Sequence, residues 1–297
     1  MAKVLCVGSA VIDFVFHLEE LPRLPQKYGT HDAAIVGGGC AANAAVAVVR
    51  LGGSAVLGAR VGDDRVADMI LSDLAAEGVE VSHVTRNAGG RSSYSSVYID
   101  AAGERQIVNF RGAGLVLDTS WFPAMADLDA VLTDTRRVNA AIAALKHARN
   151  LGVPGIVDGE EPIDQGILRE ASHVAFSMQG IQSLMPGSSP DSALEAVART
   201  YDIWAAVTDG GNGVWYTGPA GIAHTPAFPI KPVDTLGAGD IWHGAFALAL
   251  AERRTEAEAI RFANATAALK CMKPGGREGC PDRAAVMQFL KDQDDAR

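Results

Sequence analysis

Apolar residues recur along this chain in two patterns, and the two patterns predict different elements. Residues 4–12 are almost continuously apolar, as in a strand that is buried on both faces of a sheet, and residues 30–36 and 56–62 predict further strands. In residues 66–77 the apolar positions Val66, Met69, Ile70 and Leu74 follow helical spacing, so we predict an amphipathic helix there. Residues 94–100 and 106–110 alternate around a short turn, which predicts a β-hairpin.

From residue 129 onward, strand and helix patterns alternate. The predicted strands cover residues 130–133, 153–157, 173–176 and 204–208, and the predicted helices cover residues 139–150, 191–200, 241–251 and 256–271. Residues 292–297 are expected to fray. The alternation is typical of an α/β fold, in which helices cover a mostly parallel sheet. The strands predicted at residues 14–18 and 30–36 and the hairpin lie outside this alternation, and they predict a small β element beside the main sheet.

Composition narrows the classes of function. The chain has 297 residues, 48% of them hydrophobic, which is enough for one large domain. Its net charge is −9 and its pI is about 5.2, so a surface for nucleic acid or an anionic membrane is not expected. No apolar run reaches transmembrane length. The four cysteines are scattered without a Cys-x-x-Cys pair, which fits a reducing cytoplasm and indicates neither a zinc site nor a disulfide framework.

The candidate chemistry begins with a turn of small residues. Gly237, Ala238 and Gly239 lead directly into the apolar run at residues 241–251, and backbone N–H groups at such a helix start form an anion site. Asp240 follows within the first predicted turn of the helix. A carboxylate beside an anion hole can accept the proton of an attacking hydroxyl while the N–H groups hold the group in transfer. Taken alone, these four residues also fit an ordinary glycine-rich turn.

A second glycine-rich segment, residues 37–43, opens the helix predicted at residues 44–51. Its glycines allow close approach of a ligand, and Asn43 can donate and accept hydrogen bonds. The spacing Gly37-x-Gly39-x-x-Ala42 also matches a dinucleotide fingerprint, so an NAD(P)-dependent oxidoreductase is an alternative. That alternative ranks below a sugar site, because the pattern follows the second predicted strand and no acidic residue ends a later strand at the usual distance.

The string Asp234-Thr-Leu-Gly-Ala-Gly-Asp240 and the pattern Gly-Gly-x-x-Ala-Asn ending at Asn43 resemble the two signatures of the ribokinase (phosphofructokinase-B) family of carbohydrate kinases. The resemblance implies one ribokinase-like α/β/α sandwich over residues 1–297, with lid strands at about residues 14–36 and 93–111 that cover the sugar and form a homodimer contact. It also implies a cytoplasmic enzyme that uses ATP and Mg²⁺ to phosphorylate a sugar. Cys40 and Ala41 depart from the family, which more often has Lys and Gly there.

The resemblance also implies roles for residues of this sequence. Asp240 would be the catalytic base, beside an anion hole formed by Gly237, Ala238 and Gly239. The residues that would hold the sugar hydroxyls are Asp13, Gly38, Gly39 and Asn43. The residues that would hold the nucleotide are Thr208, Gly210, Gly213, Asn264 and Gly276. The family's Asn-x-x-Glu pair, which organises the water shell of magnesium, would fall at Ser177 and Gly180, so both of its residues are absent and no magnesium ligand is assigned.

Several stretches are more narrowly similar to the branch of this family that phosphorylates 6-deoxy-6-sulfofructose, among them residues 107–110, 156–159 and 268–279. This similarity implies that Lys27, Asn109 and Arg136 hold the sulfonate, and a fixed anion is well served by an ammonium, an amide donor and a guanidinium. The expected product is the sugar 1-phosphate. Fructose 6-phosphate, fructose and a ribose-like sugar are alternative substrates, and a regulator that binds sugar and nucleotide without turnover is an alternative function.

Overall fold

The computed structural model describes residues 1–295, which contain fourteen strands and nine α-helices. The strands are β1 (Lys3–Val7), β2 (Val11–His17), β3 (Asp32–Gly38), β4 (Ser54–Gly58), β5 (Arg60–Val61), β6 (Thr85–Arg86), β7 (Tyr94–Ile99), β8 (Arg105–Phe110), β9 (Ala130–Thr133), β10 (Gly155–Gly159), β11 (His173–Ser177), β12 (Trp204–Thr208), β13 (Val214–Gly218) and β14 (Gly221–Thr225). The helices are α1 (Cys40–Arg50), α2 (Arg65–Ala76), α3 (Val138–Leu151), α4 (Gln165–Glu170), α5 (Met178–Leu184), α6 (Pro190–Tyr201), α7 (Ala238–Ala251), α8 (Glu256–Cys271) and α9 (Arg283–Asp295).

Eight of the strands form the central sheet, in the order β14-β13-β12-β11-β10-β9-β1-β4. The strands from β12 to β4 run parallel, whereas β13 pairs antiparallel with both of its neighbours, β12 and β14. Helices α1, α7 and α8 pack on one face around a core that includes Leu132 and Phe246. Helices α3 to α6 pack on the other face, where Val157 and Phe176 are buried. The predicted α/β sandwich with a mostly parallel sheet is confirmed.

The order of the strands changes direction at β1. The chain passes from β1 to β4 on one side, and the later strands β9 to β12 are added on the other side of β1. The loops that follow β1 and β9 therefore diverge and leave a crevice at the carboxyl ends of these strands. Ligands bind in such a crevice in open α/β sheets, and the candidate site of this protein lies there.

A separate sheet of four strands, in the order β3-β2-β7-β8, contains the predicted hairpin, and we call it the small sheet. Its register places Val36, Asp13, Ser95 and Asn109 in one row across the four strands. Because side chains alternate along a strand, these four residues share one face of the small sheet. The next row on that face includes Val15, which is buried. The small sheet thus presents an inner face that begins polar and continues apolar.

The prediction of a single strand over residues 4–12 is wrong. The apolar run is divided between two sheets, since β1 ends at Val7 in the central sheet and β2 begins at Val11 in the small sheet. The connection is held by Asp134, whose Oδ2 accepts a hydrogen bond from the Ser9 N–H at 2.7 Å. Both sheets bury their part of the run, so the apolar pattern shows no interruption. Asp13 consequently lies inside β2 and not at the end of a parallel strand.

The remaining element boundaries differ in smaller ways. Helices α1 and α7 begin before the predicted residues 44 and 241, because a glycine outside the apolar pattern precedes each first turn. The strand predicted at residues 56–62 is divided into β4 and β5, and the sequence pattern predicts none of α4, α5 and α9. The expected fraying is wrong for residues 292–295, which continue α9, and residues 296–297 lie outside the described residues. Within residues 1–295, no helix is both long and apolar enough to cross a membrane.

Candidate active site

Two cavities meet at the N-terminal end of α7. One has a volume of about 750 Å³ and is lined in part by Arg60, Arg111, Arg136 and Arg137, so we call it the arginine cavity. The other has a volume of about 370 Å³ and is lined mainly by small and apolar residues, so we call it the apolar cavity. Leu236 lines the first cavity and Gly239 lines the second. The first turn of α7 therefore separates the two.

The starts of α7 and α1 have the features of an anion site. Gly237 is the N-cap of α7 with φ of 72°, and Gly39 is the N-cap of α1 with φ of 95°, which are conformations that favour glycine. Neither cap supplies a side-chain acceptor, although the N–H of Ala238 donates to the carbonyl oxygen of Thr235 and that of Ala42 to the carbonyl oxygen of Ser9, both at 3.2 Å. The other N–H groups of the two first turns provide the donors of the anion site. The side chain of Asn43 in α1 donates to Asp240 in α7, which brings the two helix starts together.

Asp240 is the carboxyl group of this anion site. Its Oδ2 accepts a hydrogen bond from Nδ2 of Asn43 at 2.7 Å. Burial raises the pKa of Asp240 above its usual value, and the hydrogen bond from Asn43 opposes that shift. A carboxylate with a raised pKa is a better base near neutral pH. The Oδ1 atom of the buried Asn43 has no partner among the described residues, so one acceptor beside Asp240 is left unused.

A second ionisable pair lies next to Asp240 and is fully enclosed. The ring nitrogens of His243 face two carbonyl oxygens, that of Gly239 at 2.8 Å and that of Ala175 at 3.1 Å. Nε2 of His243 also lies 3.6 Å from Oδ1 of Asp158. Burial raises the pKa of Asp158 to about 7, although His243 opposes the shift. Two carboxyl groups with raised pKa values thus stand close together where α7 begins.

The inner face of the small sheet forms one wall of the arginine cavity. Asp13, Ser95 and Asn109 line this wall, and Nδ2 of Asn109 donates to Oγ of Ser95 at 2.9 Å. Burial raises the pKa of Asp13, and Ser95 and Arg277 oppose the shift. The buried Arg277 supports the adjoining glycine segment, because its Nη2 donates to the carbonyl oxygen of Gly38 at 3.1 Å. This wall therefore offers a carboxylate and two neutral polar groups in a fixed order.

Four guanidinium groups border the rest of the arginine cavity. Arg60 and Arg136 each donate to a backbone carbonyl oxygen at 2.6 Å. Within residues 1–295, none of the four arginines forms an ion pair with a carboxylate. Burial lowers the pKa of Arg137; Asp134 opposes this shift, and Arg111 and Arg136 add to it. Neighbouring cations that repel one another and lack acidic partners are suited to bind an anion.

The apolar cavity lies beside the glycine-rich turn that follows β12. Thr208, Gly210 and Gly213, three of the residues predicted to hold a nucleotide, line it, and so does Asn264. The amide of Asn264 is already paired inside the protein, since its Oδ1 accepts from Nε1 of Trp242 at 2.8 Å and its Nδ2 donates to the backbone at 3.3 Å. No charged side chain of the described residues lines this cavity. It therefore offers backbone groups and apolar surface to a ligand.

Six of the predicted site residues line neither cavity. Four of them belong to the glycine-rich segments at the starts of α1 and α7, namely Gly38, Asn43, Gly237 and Asp240, whereas Lys27 and Gly276 lie elsewhere. Lys27 does not line the arginine cavity, because β2 leads away from the cavity before the loop that contains Lys27 begins. Gly276 does not line the apolar cavity, and its N–H donates to Oδ2 of Asp234 at 3.1 Å. The dinucleotide alternative is also not supported. Gly37 lies within β3, which is antiparallel to β2 in the small sheet, so the glycines do not follow the first strand of a βαβ unit.

The two positions at which the magnesium-organising pair is absent have structural roles. Ser177 caps α5 by accepting the N–H of Gly180 at 3.0 Å. A Cβ atom at Gly180 would lie 1.9 Å from the carbonyl oxygen of Gly159, so a larger side chain does not fit. Carboxylate oxygens of Asp158 and Asp240 lie within 4.8 Å of one another, together with the thiol of Cys40. The two carboxylates fit magnesium that keeps most of its water, whereas a thiol is a poor ligand for it.

The sequence reasoning misses Arg60, Arg111 and Arg137, which together with Arg136 give the arginine cavity its charge. These residues belong to separate elements, and only the fold brings them together. One local signal indicates an anion site there. Arg136 and Arg137 are adjacent, they lie between a predicted buried strand and a predicted helix, and no acidic residue follows them directly.

Residues 1–283 match the family model of the pfkB family carbohydrate kinases. The chain is 28% identical to a ribokinase of Bacillus subtilis, over 98% of this chain and 100% of that protein. It is 27% identical to an ATP-dependent ribose-1-phosphate kinase of Halopiger xanaduensis, over 99% of this chain and 100% of that protein. A crystal structure of an Agrobacterium tumefaciens protein with a provisional ribokinase assignment shares 36% identity and a TM-score of 0.93, with 98% of each chain covered. The similarity thus includes both sheets.

Proposed function

The chain belongs to the pfkB family of carbohydrate kinases, which transfer a phosphoryl group from ATP to a sugar, and from that premise we propose that its own sugar carries a fixed negative charge. The observation that carries the proposal is the set of four arginines without acidic partners, which border the same cavity as Asp13 and Asn109. A neutral sugar would leave these cations unpaired. A sulfonate or phosphate accepts charge-assisted hydrogen bonds from them, often in bidentate geometry.

The first candidate substrate is 6-deoxy-6-sulfofructose, which would be phosphorylated at its primary hydroxyl to give the 1-phosphate. Its sulfonate would lie among Arg111, Arg136 and Arg137, while the hydroxyl points towards Asp240. Fructose 6-phosphate is the second candidate, because its phosphate satisfies the same cations. The relative from Halopiger xanaduensis is named for a phosphorylated sugar, which supports an anionic substrate. The relative from Bacillus subtilis is named for ribose, so ribose belongs in the test as well.

Asp240 is the proposed catalytic base. One oxygen of its carboxylate is fixed by Asn43 at 2.7 Å, and the other is then available to accept the proton of the sugar hydroxyl. The N–H groups of Gly237, Ala238 and Gly239 would hold the phosphoryl group in transfer, because they lie at the start of α7. Since the pKa of Asp240 is raised, kcat/KM should fall as the pH drops through that raised value, at which the base becomes protonated.

ATP would occupy the apolar cavity, with its phosphates directed at the start of α7. The turn that contains Thr208, Gly210 and Gly213 supplies backbone N–H groups on the nucleotide side of that start. Magnesium, when bound, neutralises negative charge on the phosphates of ATP. Asp158 and Asp240 are the carboxyl groups that would hold its water shell.

The outer face of the small sheet supports a homodimer formed through the lid. Ile35, Phe14, Ser96 and Val108 form one row on the face opposite Asp13, and Ile35 and Val108 are 56% and 62% exposed. Two exposed β-branched apolar residues on one sheet face favour burial against a second copy. Analytical ultracentrifugation of the wild type and of Val108→Glu tests this arrangement. We expect a dimer that the charged variant converts to monomer, and a monomeric wild type would contradict it.

The test of the proposed function is ADP release in the presence of ATP and magnesium with a panel of sugars. The panel contains 6-deoxy-6-sulfofructose, fructose 6-phosphate and tagatose 6-phosphate as anionic sugars, and fructose and ribose as neutral ones. We expect turnover of at least one anionic sugar at a kcat/KM well above that of either neutral sugar. Preference for ribose would reject the anionic substrate and leave the kinase assignment intact.

A further inference from the structure

A lysine side chain is enclosed completely at the C-terminal end of α8. Lys270 has 0% of its surface exposed, and among residues 1–295 its ammonium group has a single polar partner, Asp234. Nζ donates to the backbone carbonyl oxygen of Asp234 at 2.8 Å and lies 3.2 Å from its Oδ2 atom. Lysine is almost never fully buried, because removing an ammonium from water is unfavourable unless its partners are well fixed. This ammonium therefore requires a reason beyond packing.

The partner of Lys270 joins two loops that flank the start of α7. Oδ1 of Asp234 accepts the N–H of Leu236 at 2.8 Å, and Oδ2 accepts the N–H groups of Gly275 and Gly276, both at 3.1 Å. Burial opposes ionisation, but these backbone donors and the Lys270 ammonium hold the pKa of Asp234 below its usual value. Asp234 is thus an ionised carboxylate that orders the chain on both sides of it.

The segment that Asp234 orders leads directly to the anion site. Leu236, whose N–H it accepts, lies beside Gly237, the N-cap of α7, and Asp240 follows in the first turn. The backbone N–H of Asp234 donates to the last carbonyl oxygen of α8, that of Cys271, at 3.1 Å. The N–H of Val233 donates to the same carbonyl oxygen at 2.7 Å, so the segment that leads into α7 is fastened to the C-terminal end of α8, and Lys270 acts on that segment through Asp234.

Stability alone does not account for a charge at this position. Replacing a buried ion pair by apolar side chains of similar volume is often neutral or stabilising, so an apolar residue would serve packing equally well. An ammonium, in contrast, can bind a carbonyl oxygen and a carboxylate oxygen at once and fix their separation. The charge therefore fixes the positions of two oxygen atoms of Asp234, in the segment that leads to Gly237 and Asp240.

We propose that Lys270 is a positioning residue for phosphoryl transfer, a cation built into the chain that fixes Asp234 and through it the N–H groups and the base at the start of α7. This inference rests on the proposed role of α7 in holding the phosphoryl group. It assigns Lys270 to the chemical step, and it requires no contact between Lys270 and the sugar or the nucleotide. Changes at Lys270 should therefore lower kcat and leave both KM values near those of the wild type.

The first variant is Lys270→Met, which keeps the length and most of the volume of the side chain and removes the charge. We expect kcat to fall by about 10-fold to 100-fold with KM for sugar and ATP within about 3-fold of the wild type. The melting temperature should fall, because the partly buried Asp234 carboxylate loses its cation, so kcat is compared at a temperature at which both proteins are folded. Lys291→Met, the same change on the exposed face of α9, is the matched control and should behave as wild type. A kcat of Lys270→Met within about 2-fold of the wild type would overturn the proposal.

The second variant, Lys270→Ala, tests the effect of the charge on kcat independently of the effect of the substitution on stability. It leaves a space beside the Asp234 carbonyl and carboxylate oxygens that a small cation can enter. At equal ionic strength, ammonium chloride should restore kcat by about 10-fold relative to tetramethylammonium chloride, whose cation is too large for the space, whereas the wild type should respond equally to both. Equal activity of Lys270→Ala in the two salts would overturn the proposal, and this comparison holds even where Lys270→Met is unstable. Absence of ADP release by the wild type with every sugar would reject the proposed function instead.

Discussion

The two cavities on either side of the start of α7 differ in how they can recognise a ligand. The arginine cavity contains four guanidinium groups that form no ion pair with a carboxylate of the described residues, and all four belong to loops or to a short strand. The apolar cavity is lined by glycines, prolines and apolar side chains, and none of its lining residues described here is charged. The first can distinguish sugars by charge, and the second can hold a nucleotide by shape and backbone contacts. Substrate choice should therefore depend on the sugar side alone.

The largest expected effect comes from Asp240, the acid in the first turn of α7 between the two cavities. Asp240→Asn keeps the shape of the side chain and removes the base, so kcat should fall by roughly two to four powers of ten while KM for sugar and for ATP change little. Asp191→Asn, which alters an exposed acid in the first turn of α6, is the matched control. Steady-state kinetics with both substrates measure the effect. A variant that retains the wild-type kcat would contradict the assignment of the base.

The next change acts on the arginine cavity only. Arg137→Met removes one guanidinium from the cluster, so KM for the anionic sugar should rise by about 10-fold to 100-fold, as expected for the loss of a charge-assisted hydrogen bond. KM for ATP should stay within about 2-fold of the wild type. Arg199→Met on the exposed side of α6 controls for the loss of a positive charge elsewhere. An equal rise of both KM values would show that the two cavities do not act separately.

A corresponding change tests the apolar cavity. Phe228 lines this cavity, and its ring packs against Phe289 of α9 with the centroids 5.2 Å apart. Phe228→Ala should raise KM for ATP by about 3-fold to 10-fold and leave KM for the sugar unchanged, because only apolar contact is lost. Phe289→Ala removes the other ring of the pair without opening the cavity wall, so it should reduce the melting temperature and not KM for ATP. A change in KM for the sugar in Phe228→Ala would show that the two cavities do not bind their ligands independently.

The smallest effect concerns Asp158, the buried acid next to His243 and Asp240. Its pKa in the folded protein is raised by burial to about 7, so the folded state keeps a proton there that the unfolded state has already lost. Stability is therefore lost as the pH rises from the ordinary carboxyl range to about 7, and Asp158→Asn should escape that loss. The melting temperature of the variant should exceed that of the wild type by roughly 2 to 4 °C at pH 8 and by less at pH 5. If the difference in melting temperature between Asp158→Asn and the wild type became smaller as the pH rises, the raised pKa of Asp158 would be contradicted.

The parts of the molecule that could be predicted from the sequence are those encoded by neighbouring residues. Helix α8 begins and ends where its pattern predicts, and the anion hole and Asp240 lie in one continuous string. The division of residues 4–12 between two sheets could not be predicted, because both sheets bury their part and the apolar pattern does not change. The arginine cavity could not be predicted either, because Arg60 and Arg111 come together with Arg137 only through the fold. Lys27, in the loop between β2 and β3, does not line the arginine cavity, so its role towards a sulfonate stays a prediction from sequence similarity.

The most direct test of the account is the ratio of kcat/KM for 6-deoxy-6-sulfofructose to kcat/KM for fructose, measured in the wild type and in Arg137→Met. The two sugars differ only at the end that would lie among the arginines. We expect a ratio above about 100 in the wild type, which corresponds to about 3 kcal/mol of binding to the anion, and a fall of about 10-fold or more in the variant. A ratio near one in the wild type, or a high ratio that Arg137→Met leaves unchanged, would contradict the claim that the arginine cavity selects the sugar.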